Sequence, residues 1–365
     1  MIALCLPGIG SAEAPLHGST PIVIAHRGAS GYRPEHTLAA YELAIQQGAN
    51  YIEPDLVSTK DRVLIARHEP LLAIYNEATD SIEEATTNVA ELPHFAVRRT
   101  TRRLDGLILN GWWAQDFTLA EIKTLKARER IPGIRPANSA FNDHFEIPTL
   151  QEVITLAKTQ SAVLGRTIGI YLETKHPTYH DQIGLSLEEP LIATLQANGL
   201  ADANAPVFIQ SFEVTNLMEI NQRADISVRL VQLLGASGQP YDFTAAGDHR
   251  TYDSMASAKG LPEIATYADG VGPHKTRVIA VVDGISPHAS TFVADAHSNG
   301  LLVHPYAFRR ENTFLPNQFR SGVDPNDPGN LGGELKAHLD AGIDGFFTDN
   351  PDIGTGIVQR GNPSH

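Results

Sequence analysis

Short apolar runs ending in polar residues recur along the chain, each entered from a helix-like segment and a glycine. Leu38, Tyr41, Ala44 and Ile45 share one helical face after the cap candidate Thr37; Gly48 stops the helix and Tyr51-Ile-Glu-Pro-Asp-Leu56 follows. The same order returns at 191–198 with Gly199 and 207–212, at 289–299 with Gly300 and 301–306, and at 335–341 with Gly342 and 345–349. Further strand candidates lie at 22–25, 168–172 and 226–232, with a weaker one near 270–275. About eight strands with helices between them predict an α/β chain folded as a parallel (β/α)8 barrel of the TIM type. A doubly wound sheet would alternate in the same way, but the glycines of His26-Arg-Gly-Ala-Ser-Gly31 do not match the dinucleotide fingerprint.

Two stretches break the rhythm. Residues 69–147 hold both tryptophans, Trp112 and Trp113, and the capping-box sequence Thr118-Leu-Ala-Glu121. The barrel pattern resumes at a second capping box, Thr149-Leu-Gln-Glu152, so about 69–147 reads as an insertion after the second strand of one domain spanning 20–365. Residues 235–285, rich in Gly, Asp and Ala, form the other irregular stretch.

Charge narrows the partners. The 365 residues carry 28 Lys and Arg against 42 Asp and Glu, a formal net charge of -14, and no basic run, which argues against nucleic acid. No apolar run reaches the roughly 18 residues of a membrane-spanning helix. The start, Met1 to Ala14, closes on Ala-Glu-Ala like an export cleavage site, and it contains Cys5, the single cysteine. Residues 1–19 are therefore expected to be a residual leader or disordered, and the protein periplasmic or secreted. No feature of the sequence sets an oligomeric state.

Candidate chemistry gathers at the strand ends. Side chains two apart on a strand share a face, so Glu53 and Asp55 point together, as do Tyr171, Glu173 and Lys175 opposite Ile170 and Leu172. If the apolar faces meet the outer helices, Glu53, Asp55 and Glu173 converge in the barrel mouth, where their mutual repulsion calls for a hard divalent cation, Ca2+ or Mg2+. His26 and His68 beside it offer an acid and a base. Arg27 and Lys175 offer a fork and a point charge for a phosphate. Tyr306 and Phe308 could wall a pocket for a quaternary ammonium, or simply pack at the barrel rim.

The stretches His26-Arg-Gly-Ala-Ser-Gly-Tyr-Arg-Pro-Glu-His-Thr37, Glu53-Pro-Asp55, His68, Leu172-Glu-Thr-Lys175, Gln210-Ser-Phe212, Val303-His-Pro-Tyr306 and Phe347-Thr-Asp349 together resemble the glycerophosphodiester phosphodiesterase family, especially its exported bacterial branch. The resemblance covers nearly the whole chain from residue 20. It implies a TIM-type barrel and hydrolysis of small glycerophosphodiesters, such as glycerophosphocholine, to sn-glycerol 3-phosphate and an alcohol. It further implies one divalent metal, with Ca2+ favoured and Mg2+ possible, on Glu53, Asp55 and Glu173. His26 and His68 would be the general acid and base, Arg27 and Lys175 the phosphate grips, Tyr306 a substrate-facing residue, and Glu35 an orienting acid. Where the family often has Asn, this chain has His36, a position that reads as part of the turn.

Three other classes compete. A glycoside hydrolase would also place two carboxylates in a barrel, but has no use for the paired Arg and Lys and should survive chelation. A related phospholipase would cut lipid phosphodiesters, and a binding or adhesion protein could reuse the same barrel.

Overall fold

Eight parallel strands make the barrel: β1 (Ile22–His26), β2 (Tyr51–Glu53), β3 (Gly169–Thr174), β4 (Val207–Ser211), β5 (Arg229–Leu234), β6 (Gly270–Pro273), β7 (Leu302–Val303) and β8 (Gly345–Thr348). The computed structural model describes residues 15–285 and 288–361. The strands run side by side in the order β7-β6-β5-β4-β3-β2-β1-β8. The Asp344 N–H to Val303 carbonyl and Phe347 N–H to Pro305 carbonyl bonds, each 3.0 Å, link the two ends of that order.

Strand alternation separates two apolar layers. Ile52, Ile170, Leu172, Val207 and Ile209 face outward into the helices, whereas Ile24, Tyr171, Phe208, Val231 and Phe347 fill the barrel interior. Each face is thereby committed by parity. The polar residues just beyond the inward-facing ones are left at the barrel mouth.

The structure corrects several boundaries. The second strand is not continuous over 51–56: Pro54 has no N–H for the ladder. Asp55–Ser58 pairs onward with β3 and folds back antiparallel on Leu64–Ala66. The strand expected at 226–232 begins at Arg229 and extends to Leu234, while Ile226 and Val228 are buried ahead of it. The helix expected at 335–341 spans Leu331–Asp340.

Residues 71–113 build a second sheet, four antiparallel strands in the order Ser81–Ala85, Leu71–Asn76, Leu107–Trp113, Thr100–Leu104. Trp112 and Trp113 are buried in it and donate their indole N–H groups to the Phe95 and Thr100 carbonyls at 2.9 and 2.8 Å. They anchor the insertion rather than line a cleft. Both capping boxes form.

Residues 1–14, which include Cys5 and the expected leader, lie outside the described residues. Leu16–Gly18 is a 3-10 turn, and the Leu16 N–H donates to Asp344 Oδ1 at 2.5 Å. No helix among the described residues is long and apolar enough to cross a membrane.

Candidate active site

The site starts from a turn that only certain residues tolerate. After β1 the backbone enters the left-handed region at Arg27 (φ 60°) and Gly28 (φ 85°). A Cβ on Gly28 would stand 2.7 Å from the Ala40 carbonyl carbon, so the helix Leu38–Gln46 can approach only a glycine there. Non-glycine residues at positive φ are held by their surroundings. Here the Arg27 N–H donates to Glu53 Oε2 at 2.7 Å and its Nη1 to Glu35 Oε2 at 3.0 Å. Arg130 Nε reaches the same Glu35 oxygen at 3.0 Å.

Glu53, Asp55 and Glu173 meet at the mouth, each offering an oxygen within 4.8 Å of the other two. All three are buried. Burial together with Asp55 and Glu173 pushes Glu53 well above the ordinary carboxylate range. Burial and the Asp55 charge push Glu173 up to about 8 even with the Lys175 ammonium 2.9 Å away. Asp55 stays well below its usual value against the cost of burial, because His36 and Lys175 favour its charge. Asp55 Oδ1 is buried without a partner. Three crowded carboxylates and an orphan oxygen are a set of hard oxygen donors short of positive charge, and they fit a divalent cation.

His36 is more than a turn residue. Fully buried, it bonds Asp55 Oδ2 through Nε2 at 2.9 Å and the Tyr41 hydroxyl through Nδ1 at 2.8 Å. With a carboxylate on one side, Nε2 carries the proton and Nδ1 accepts from the tyrosine. The imidazole therefore aims Asp55, as the partners of metal-ligating carboxylates commonly do.

Two histidine–carboxylate pairs flank the acidic group. His26 Nδ1 lies 2.6 Å from Asp349 Oδ1, and Asp349 is clamped further by Arg135 Nη2 at 2.6 Å and Arg309 Nε at 3.0 Å. His68 Nδ1 lies 3.0 Å from Glu69 Oε1. In both, Nδ1–H donates to the carboxylate, which leaves Nε2 as the free acceptor. Burial and the neighbouring Arg27 lower His26 to about 4; burial, Arg27 and Lys175 lower His68 to about 3. Glu69 continues to His176 Nε2 at 2.9 Å, and His176 Nδ1 to Asp105 Oδ2 at 2.6 Å.

His26, Arg27, Glu53, His68, Glu173, Lys175 and Tyr306 line one cavity of about 90 Å³. Glu35 stands behind Arg27 rather than in that cavity, and Asp55 lies beneath it. Tyr306 packs edge-on against Phe212 and His274. Phe308 does not wall a pocket: it is fully buried against His338 and Phe346. Asp349, Glu69, His176, Arg67, Arg130 and Arg135 received no role from the sequence. Glu69 and His176 directly follow His68 and Lys175, an adjacency that could have flagged them. Buried Arg67 donates to the Glu35 and His36 carbonyls at 2.7 and 3.2 Å and fixes the turn that carries both.

Comparison with known proteins supplies the family and the fold. The glycerophosphoryl diester phosphodiesterase family pattern matches residues 26–353. A glycerophosphodiester phosphodiesterase of Arabidopsis thaliana is 34% identical over 350 residues, 92% of this chain and 86% of that protein. One from Haemophilus influenzae is 29% identical over 93% of this chain and 90% of its own length. The fold is shared with a glycerophosphoryl diester phosphodiesterase structure from Silicibacter pomeroyi (TM-score 0.62, 21% identity, 97% and 95% coverage). It is also shared with an Oleispira antarctica phosphodiesterase in complex with sn-glycerol-3-phosphate (TM-score 0.56, 18% identity, 94% and 99% coverage). The strand-end site and the matched span together make this chain a member of the glycerophosphoryl diester phosphodiesterase family.

Proposed function

We propose that this chain hydrolyses glycerophosphodiesters such as glycerophosphocholine to sn-glycerol 3-phosphate and an alcohol, with His26 and His68 as the acid–base pair. The observation that carries this is one cavity whose walls hold two carboxylate-oriented imidazoles, the cations Arg27 and Lys175, and Glu53 and Glu173 of the acidic cluster. A phosphodiester is an anion that needs all three.

Arg27 and Lys175 take the non-bridging phosphate oxygens and offset the charge that grows on them in the transition state. One imidazole Nε2 accepts the proton of the attacking hydroxyl, and the other delivers a proton to the departing alcohol oxygen. Burial and the flanking cations favour the neutral form of both histidines. The bound phosphate offsets those cations and makes a protonated imidazole easier to form. Glu53, Asp55 and Glu173 would hold the divalent cation, whose chemistry is to neutralise charge and acidify a bound oxygen. Ca2+ suits a carboxylate-rich, variable set best, with Mg2+ second.

Metal-stripped protein should release no glycerol 3-phosphate from glycerophosphocholine, and one of the two ions should restore release. Undiminished turnover after stripping would remove the cation from the reaction, and no turnover with either ion would overturn the function.

A further inference from the structure

Two chambers of opposite character adjoin the catalytic cavity. One, about 400 Å³, opens from His26, Arg27 and Tyr306 and is walled by Lys275, Arg309 and Arg320. The other, about 360 Å³, opens from Glu173, Lys175 and Phe212 and is walled by Asp105, Glu213 and Tyr252.

Their charges differ in how they are matched. In the basic chamber each of two cations has a carboxylate counter-charge, Lys275 with Glu334 at 2.7 Å and Arg309 with Asp349 at 3.0 Å, although the Arg309 Nε makes no hydrogen bond. In the acidic chamber the carboxylates are short of partners. Glu213 is only 4% exposed; its Oε2 takes the Thr178 N–H at 3.1 Å and the Thr178 hydroxyl, while Oε1 is buried with no partner. Asp105 spends Oδ2 on His176, and its Oδ1 is likewise buried and unpartnered. The charges acting on Glu213, Asp242 and Asp105, are both negative, and with burial first they push it up to about 8. The cations already present are engaged: His176 by Asp105 and Glu69, and Lys175 by Glu173, with the Lys175 Nζ 5.8 Å from the Phe212 ring centroid. Phe212 and Tyr252 meet edge-on at 6.2 Å. A cation-accepting aromatic wall opposite orphan carboxylates describes a receptor for an organic ammonium.

We infer that this chamber receives the cationic head group of the leaving alcohol, an ammonium or trimethylammonium, with Glu213 and Asp105 as counter-charges and Phe212 and Tyr252 as apolar walls. The inference rests on the hydrolysis proposed above and orients the substrate within it. The chain Asp105–His176–Glu69–His68 runs from this chamber to His68, whereas His26 lines the opposite one. His68 is therefore the acid and enters the step as the imidazolium: as the bond between phosphorus and the head-group oxygen breaks, that oxygen keeps the electron pair and takes the Nε2 proton, which returns His68 to its neutral Nδ1–H form. His26 Nε2 takes the proton of the hydroxyl whose oxygen bonds to phosphorus.

The test compares kcat/KM for glycerophosphocholine with that for glycerophosphoglycerol, above pH 8, in the wild type, Glu213→Gln and Glu213→Asp. The choline preference should fall about tenfold in Glu213→Gln and be largely kept in Glu213→Asp, as expected for a desolvated cation losing its counter-charge. An unchanged ratio in Glu213→Gln overturns the chamber's role. Free choline, titrated onto wild type and Glu213→Gln, gives the second readout: weaker binding to the variant supports the site, and equal binding refutes it. A wild type that hydrolyses neither diester contradicts the proposed reaction instead, and the choline titration then judges the chamber alone.

Discussion

His26 and His68 face one cavity from different ground. His26 ends β1, and its partner Asp349 follows β8, the neighbouring strand in register with β1. That pair is almost closed to solvent, with side-chain exposures of 10% and 2%, and two arginines clamp the carboxylate. His68 leaves a hairpin at the edge of the insertion and pairs with the next residue in the chain, at exposures of 23% and 27%. Its support then passes through His176 to Asp105 in a turn of the insertion. One imidazole is aimed by the barrel and the other by a relay that crosses into a separate sheet. A buried carboxylate with fixed neighbours can hold a tautomer firmly, while a partly exposed one shares the work with water.

The largest expected contrast follows from that. Asp349→Asn should lower kcat by about 10²–10⁴-fold, because an amide no longer enforces the Nδ1–H tautomer of His26. Glu69→Gln should cost only about 10-fold by the same reasoning, weakened by exposure. Steady-state kinetics on both variants would break the comparison if Glu69→Gln proved the more damaging.

A smaller effect separates the two sides by pH. Burial opposes the charge on His176, but Asp105 and Glu69 outweigh it and raise the imidazole to about 9. A raised folded value means stability that is complete below the unfolded value near 6.5 and lost as pH climbs through about 9. The wild type should lose on the order of 3 kcal/mol across that window, and His176→Gln should lack the slope. Denaturant melts between those limits check it; parallel curves for the two proteins would show that the relay carries no charge.

The same division governs what could be read from the sequence. The barrel strands and the convergence of Glu53, Asp55 and Glu173 follow from local rules, glycine stops and side-chain parity, and these survive folding because each strand has one face committed to the helices. Pro54 interrupts the second strand without rotating Asp55 off that face. Long-range partners have no such local signal. Arg130 and Arg135 come from a stretch without periodicity and reach Glu35 and Asp349 across 95 and 214 residues. Glu213 looks like an ordinary loop acid until the cavity around it is seen. His36 was legible as a turn residue, yet its bond to Asp55 depends on how the turn folds over the second strand. Phe308 shows the same limit: its place after a strand end left pocket wall and packing both open, and it turns into the helical layer.

In the proposed reaction His26 activates the nucleophile and His68 protonates the leaving alcohol. Replacing the alcohol of the diester by p-nitrophenol, which departs without a proton, tests it directly. His68→Ala should recover most of its lost turnover on glycerophospho-p-nitrophenol, whereas His26→Ala should remain as impaired as on glycerophosphocholine. Recovery of His26→Ala instead, or an equal deficit of both variants on both substrates, would contradict it.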